Sequence, residues 1–312
     1  MLKESLFYGK VLLFGEYGII QDSMGLSIPY ESYRGSLIFH SEDSEMSEWS
    51  NNELKKYYAH LAELDQSNQL PCELDLAAFK SDIDNGMLFD SSIPKGYGVG
   101  SSGALVASIY NRYSINGISA DGNVANSNIL KLKILFGELE SYFHGKSSGL
   151  DPLICYLHLP ILIKSKDEVN AVGIPAQGSS KGAIFLLNTG NPGETQPMVN
   201  IFLDKLKEEG FRTMLKKKFK KYNDASIEAF LNKERKPLFS NIKKLSKVVL
   251  DNFKPMIPEN YQKVWQDGID SNAYYLKLCG SGGGGFILGF TEDIDEAKDK
   301  LSDYQVDVIY NF

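Results

Sequence analysis

The chain has 312 residues, 43% hydrophobic and 23% charged, which is enough apolar material for a sizeable core and excludes a disordered or fibrous protein. Its net charge of −7 argues against a general nucleic-acid binder, and no apolar run approaches membrane-spanning length. Three cysteines (72, 155, 279) and four histidines (40, 60, 144, 158) show neither disulfide nor metal-ligand spacing. Lys10 and Glu16 interrupt the N-terminal apolar stretch, so no signal peptide is expected and a cytoplasmic location is.

In chain order, residues 6–20 read as a strand, a Gly15-Glu16 turn and the start of another strand. Lys10 and Glu16 stand there in apolar company, so each is either solvent-facing on an edge or buried and paired. Residues 26–40 continue as strands with a turn near Arg34-Gly35, 52–66 have helical composition, and 79–93 read as short strands with a hairpin at Asp84-Asn85-Gly86. The stretch Pro94–Ala104 then carries glycines at 96, 98, 100 and 103 with Ser101 and Ser102, before a helix over 104–113 that either serine would cap.

Such glycines let backbone N–H groups approach an anion, and the helix dipole favours the same guest. The plain alternative is a glycine-rich turn with no ligand. Gly98-x-Gly100-x-x-Gly103 matches the dinucleotide fingerprint formally, but Pro94-Lys95-Gly96-Tyr97 stands where that fingerprint needs an apolar strand. Neither a Walker A ending nor the protein-kinase triplets are present.

Residues 129–143 form a stronger helical pattern, apolar at 129, 132, 135, 136, 139 and 143. It runs into the polar segment Glu140–Pro152, whose acids are candidate ligands; 153–174 read as strands, and Ala176–Gly182 is the best linker. Beyond it lie a strand over 183–188 and a mostly helical stretch over 197–267, in which Lys216–Lys221 reads as a solvated face, with nucleic-acid contact as the alternative. A strand over 273–279, the turn Gly280–Gly285, a strand over 286–290, a helix over 293–301 and a strand over 306–310 complete an α+β pattern.

Phosphoryl transfer from ATP accounts for three of these features together: Lys10 and Glu16 in the first strand-turn unit, the glycine-serine cradle, and the second glycine turn. That chemistry needs N–H groups for phosphates, a hydroxyl and a carboxylate for Mg²⁺, and a group that orients or deprotonates the acceptor hydroxyl; Glu140 and Asp151 are available for the last roles.

Gly9–Tyr17, Pro94–Ala104 and Lys277–Gly285 resemble, in order, the three motifs of the GHMP kinases, and they span nearly the whole chain. Glu140-x-x-x-His144-Gly145-x-x-Ser148-Gly149-x-Asp151 is most similar to the mevalonate kinases of that family. The resemblance implies a two-domain α+β GHMP kinase fold. Residues 1–175 would be the ATP-binding domain, of ribosomal-protein-S5-like type, and residues 176–312 a ferredoxin-like α+β domain.

It further implies ATP and Mg²⁺ as cofactors, Asp151 as catalytic base, and Lys10 as its cationic partner. Ser102 and Glu140 would be Mg²⁺ ligands. Gly96, Gly98, Gly100, Ser101, Ser102, Gly103, Ala104, Gly282 and Gly283 would hold or support the nucleotide, and Glu16, Tyr17, His144 and Ser148 would lie toward the substrate.

The expected reaction is phosphorylation of a primary alcohol, first of all mevalonate at its 5-hydroxyl, in isoprenoid-precursor synthesis. Phosphomevalonate kinase, another GHMP kinase, and a nucleotide-binding sensor that retains the fold are the alternatives. A small hydroxy acid is the expected partner, without nucleic acid or membrane, and a homodimer is left open. Three positions depart from the mevalonate kinase pattern: Tyr17 replaces the usual His, Lys146-Ser147 replaces a small residue and Pro, and Cys279 replaces a common Thr.

Overall fold

The computed structural model describes residues 5–39, 45–122 and 124–312. By contacts the chain divides into two compact units. One holds the described residues of Met1–Lys10, Pro29–Pro94 and Gly100–Leu159; the other holds Val11–Ile28, Lys95–Val99 and Pro160–Phe312.

In the first unit, strand β1 (Phe7–Phe14) begins and strand β2 (Gly25–Phe39) ends. Helix α1 (Glu45–Gln66) packs against helix α2 (Leu76–Asp84) and strand β3 (Met87–Ser91), which pairs antiparallel with β2 from Gly35↔Ser91 to Phe39↔Met87. Helices α3 (Ser101–Tyr113), α4 (Asn126–His144) and α5 (Leu150–Leu157) pack on one another. Of the apolar stripe expected on α4, Ile129, Leu132, Phe136 and Leu139 are sealed from solvent, while Leu135 and Phe143 are half-buried at its margin.

The second unit contains the start of β2, paired antiparallel with β4 (Ile161–Ile163), which pairs in turn with β5 (Val169–Ala171). Its main sheet is antiparallel in the order β7-β8-β6-β9, built from β6 (Ala183–Asn188), β7 (Tyr275–Leu278), β8 (Phe286–Thr291) and β9 (Val306–Asn311). Helices α6 (Thr195–Lys205), α7 (Glu209–Met214), α8 (Lys220–Leu231), α9 (Arg235–Asn252), α10 (Glu259–Ser271) and α11 (Ile294–Lys300) complete it. Helices α9 and α10 lie on β7, and the indole of Trp265 in α10 is fully buried with Nε1 donating to Ser246 Oγ of α9 at 2.8 Å.

Four sequence expectations are corrected. Residues 79–84 are helical, because Asp75 caps α2 by accepting from Ala78 N–H and Phe79 and Ile83 fall four apart on a buried face; Asn85-Gly86 ends a helix and turns no hairpin. No turn interrupts β2 at Arg34-Gly35. Gly35 stays extended in the ladder, where a Cβ would meet the Phe89 ring at 2.3 Å. Residue 40, at the end of that expected run, lies outside the described residues.

The apolar run after Asp151 is the buried helix α5 before it becomes strand, since a short, wholly apolar segment has no periodicity to tell the two apart. After the Gly15-Glu16 turn the chain makes a 3-10 turn over Gly18–Gln21, and the next strand waits until Gly25. The lysine run falls on a π-helical turn, Leu215–Phe219, that buries Leu215 and Phe219 and exposes Lys216, Lys217 and Lys218. No helix of the described residues is long and apolar enough to cross a membrane.

Trp265→Ala is expected to lower stability by about 3–5 kcal/mol through the cavity it opens. Chemical denaturation followed by far-UV circular dichroism measures this, and a loss under about 1 kcal/mol would show that the indole does not anchor the α9–α10 layer.

Candidate active site

Four of the residues singled out in the sequence meet inside the first unit. Lys10 reaches it from β1, Ser102 from the first turn of α3, Glu140 from the last turn of α4 and Asp151 from the first turn of α5. The Lys10 ammonium is 3% exposed and sits 2.9 Å from Asp151 Oδ1, whose side chain is 35% exposed. Lys10 is therefore held from beneath by a carboxylate whose outer part faces solvent. The opposite charge offsets a desolvation that would otherwise cost several kcal/mol, and Asp151 gains further from its place at a helix N-terminus.

Glu140 follows Phe136 by four residues, so it continues the buried stripe of α4 and is itself buried. Ser102 Oγ donates to its Oε1 at 2.9 Å, and Ser147 Oγ donates to its Oε2 at 2.6 Å. Burial pushes the Glu140 carboxyl up to about 7, and the negative charge of Asp151 adds to the rise; the two serine hydrogen bonds and Lys10 oppose it.

The helices approach closely because of Gly103, where a Cβ would stand 2.7 Å from the backbone of Asp151 and Pro152. Any side chain there would wedge α3 off α5 and separate Ser102 from the acids. Gly100, at φ 85°, is the N-cap residue of α3, which corrects the expectation that Ser101 or Ser102 caps it. A glycine at the N-cap offers no side-chain cap, and the helix start carries the anion-favouring dipole of any helix N-terminus. Ala104 is buried behind them.

Glu16 and Tyr17 belong to the second unit and are engaged there. Glu16 makes a buried ion pair with Lys277 of β7, whose Nζ also donates to Leu278 O at 3.1 Å. Tyr17 stacks on Phe202 with ring centroids 4.5 Å apart and donates its hydroxyl to Ser281 O at 2.8 Å; burial raises the phenol well above its ordinary value. Gly96 and Gly98 lie in the same unit as the second glycine turn, with φ of 78° and 76°. A Cβ on Gly98 would meet Cys279 O at 2.6 Å, so this loop and the turn holding Gly282 and Gly283 pack backbone to backbone.

Ser148 is exposed, its Oγ 3.4 Å from the Leu150 N–H that donates to it. His144 closes α4, and its side chain lies outside the described residues.

Three participants escaped the sequence reading. Ser147 stands at a departure from the family pattern and proves to hold Glu140. Lys277, like Lys10, is a charge inside an apolar strand, and that oddity was a usable signal. The segment Thr189–Gly193 carries two glycines and a proline directly after the strand 183–188, and it packs against both glycine loops.

Among the described residues no group of three or more His, Cys, Asp or Glu side chains is placed to hold a metal ion. No family profile matches the chain, and no curated protein matches it in sequence. Solved structures do. L. major mevalonate kinase in complex with R-mevalonate aligns over 100% of this chain and 97% of its own, with 16% identity and a TM-score of 0.64. Streptococcus pneumoniae phosphomevalonate kinase in complex with phosphomevalonate and AMPPNP aligns over 99% and 100%, with 13% identity and a TM-score of 0.64.

The chain has the GHMP kinase fold. Lactococcus lactis galactokinase complexed with galactose is similar as well, over 99% of this chain and 94% of its own, with 12% identity and a TM-score of 0.62. The likeness thus extends over the whole chain and across kinases whose named ligands differ, so the GHMP kinase fold by itself selects no acceptor.

The Glu140 carboxyl has a folded-state value raised from 4.5 to about 7. Its contribution to stability is fully present below the unfolded value and is lost as pH rises through the folded one. Metal-free protein is therefore expected to lose on the order of 3 kcal/mol from this group between pH 4.5 and 7. Glu140→Gln should flatten that part of the pH–stability curve in denaturant titrations; a curve of unchanged slope would contradict the raised value.

Proposed function

We propose that the chain is an ATP- and Mg²⁺-dependent kinase that phosphorylates the primary alcohol of a small hydroxy acid, with mevalonate at its 5-hydroxyl as the first choice. The observation that carries the proposal is the meeting of Lys10, Ser102, Glu140 and Asp151 in one unit, with the anion-favouring start of α3 beside them. In this reading 1–175 and 176–312 remain the two domains, the first supplying the base and most of the phosphate loop, the second Gly282 and Gly283.

The donor set fits Mg²⁺. A hard cation takes oxygen ligands, and Mg²⁺ in nucleotide sites uses one or two carboxylates together with phosphates and water, so Ser102 and Glu140 suffice without an all-protein cage. Glu140 also has reason to receive a cation, since its burial makes its charge costly until an opposite charge arrives. Bound Mg²⁺ supplies charge neutralisation on the transferred phosphoryl group.

The chain's own residues do the rest. Asp151 Oδ would take the proton of the acceptor hydroxyl as its oxygen bonds to the γ-phosphorus of ATP and the bond to the bridging oxygen breaks to release ADP, while Lys10 Nζ fixes the carboxylate and stabilises the charge that develops. Backbone N–H groups over Gly96–Ala104 hold the nucleotide phosphates. Glu16 and Tyr17, both held within the protein, shape the substrate end through the segment that carries them.

With Mg-ATP, ADP should form in a coupled assay when mevalonate is supplied. Turnover on phosphomevalonate alone would move the acceptor and keep the class, whereas no turnover on any of a panel of mevalonate, phosphomevalonate, homoserine and galactose would sink the kinase reading in favour of a nucleotide-binding sensor. Asp151→Asn is expected to lower kcat by about a hundred- to ten-thousandfold while Mg-ATP still binds by calorimetry. Unchanged kcat would assign the base elsewhere.

A further inference from the structure

The segment Thr189–Gly193 follows β6 and leads toward α6. It lies against both glycine loops of that unit. Gly193 N–H donates to Gly96 O at 2.8 Å, which ties it to the first loop. Gly285 N–H donates to Asn191 O at 2.6 Å, which ties it to the second. The packing is as close as the hydrogen bonding: a Cβ on Gly193 would stand 2.7 Å from Gly282 O, and one on Gly96 would stand 2.8 Å from Gly193 O. Three stretches of backbone therefore share one layer, with Thr189–Gly193 in contact with both others.

Thr189 sets where this middle segment leaves the sheet. It follows Asn188, the last residue of β6, whose partner across the ladder is Phe286, the first residue of β8. Its N–H donates to Gly285 O at 3.0 Å, continuing the ladder by one residue. Its hydroxyl donates to the same Gly285 O at 2.7 Å, with Asn191 O at 3.1 Å as a second acceptor. Thr189 is 8% exposed, so its hydroxyl works away from bulk water, adding to the backbone donors both carbonyls already have, Thr189 N–H on Gly285 O and Gly285 N–H on Asn191 O. One side chain thereby fixes the exit of the second glycine turn and the path of the segment that holds the first.

We propose that Thr189 is a positioning residue for nucleotide binding: through Gly285 and Asn191 it sets the relative placement of the loops 95–99 and 280–285. The role rests on the kinase reading above for its ligand, while the brace itself stands on the hydrogen bonds alone. A positioning role of this kind acts on how well the loops receive phosphates and leaves Asp151 and Lys10 untouched. It belongs in KM for ATP and leaves kcat at saturation in place.

The test compares Thr189→Val, which keeps the shape and removes the hydroxyl, with Thr189→Ser, which keeps the hydroxyl. Two readouts on the full chain separate the brace from the reading it rests on. In hydrogen exchange without nucleotide, Thr189→Val should exchange amides of 95–99 and 280–285 about tenfold faster than the parent, with α9 and α10 unchanged and Thr189→Ser close to the parent. In steady-state assays with Mg-ATP, Thr189→Val should raise KM for ATP about tenfold with kcat within about twofold, and Thr189→Ser should restore it.

If the parent protein turns over no substrate, the kinase reading fails and the exchange arm still decides the brace. Equal exchange of both loops in Thr189→Val and the parent overturns the inference. So does a Thr189→Val protein that melts earlier and exchanges faster everywhere with KM for ATP unchanged, because that pattern belongs to a structural residue alone.

Discussion

An ammonium group carried into the interior by a β-strand is the constraint on which the first unit depends. Lys10 alternates into the protein with Gly9 and Val11 around it, and water reaches little of it. Without a carboxylate at hydrogen-bonding distance the strand could not hold it there at tolerable cost. Asp151 supplies that carboxylate, and to do so α5 must begin where it does, with Gly103 giving α3 room to lie against its first turn. The acid of α4 then finds itself buried beside Asp151, which is why two serines gather on it and why its carboxyl titrates high.

The second unit meets a related problem differently. Its buried charges, Glu16 and Lys277, satisfy each other, and Tyr17 closes on Ser281. These contacts hold the turn after β1 to the strand and glycine turn that follow α10. Where the glycine loops meet, much of the contact is backbone on backbone, with the Tyr97 ring edge-on to Phe286, the Pro192 side chain close to Gly96 and the Thr189 hydroxyl on Gly285 O. Charge is neutralised internally near Glu16, while the first unit keeps a carboxylate partly open to solvent at Asp151. In the proposed reading, that asymmetry is what leaves Asp151 open to an acceptor.

Much of this was legible from residues alone. Lys10 and Glu16 were conspicuous as charges in apolar runs, and both are buried and paired. The stripe of α4 was readable because long helices repeat their burial many times over. Helix α5 was not, since Leu150–Leu157 is apolar nearly throughout and carries no period; only its tertiary surroundings decide its form. Helix α2 was lost to the hairpin signal of Asn85-Gly86, although Asp75, Phe79 and Ile83 spelled a capped helix. Partners distant in sequence, such as Lys277 for Glu16 and Thr189 for Gly285, depend on strand pairing and could be named only once the sheet was known.

The central claim is that Lys10 and Asp151 act as one device for proton removal and charge stabilisation. A double-mutant cycle in single-turnover ADP formation with Lys10→Met, Asp151→Asn and the pair tests it most directly. Residues that work as a unit give non-additive losses, so the pair should be no slower than the slower single variant, within about threefold. Losses that multiply, or a Lys10→Met enzyme with full single-turnover rate, would contradict the account.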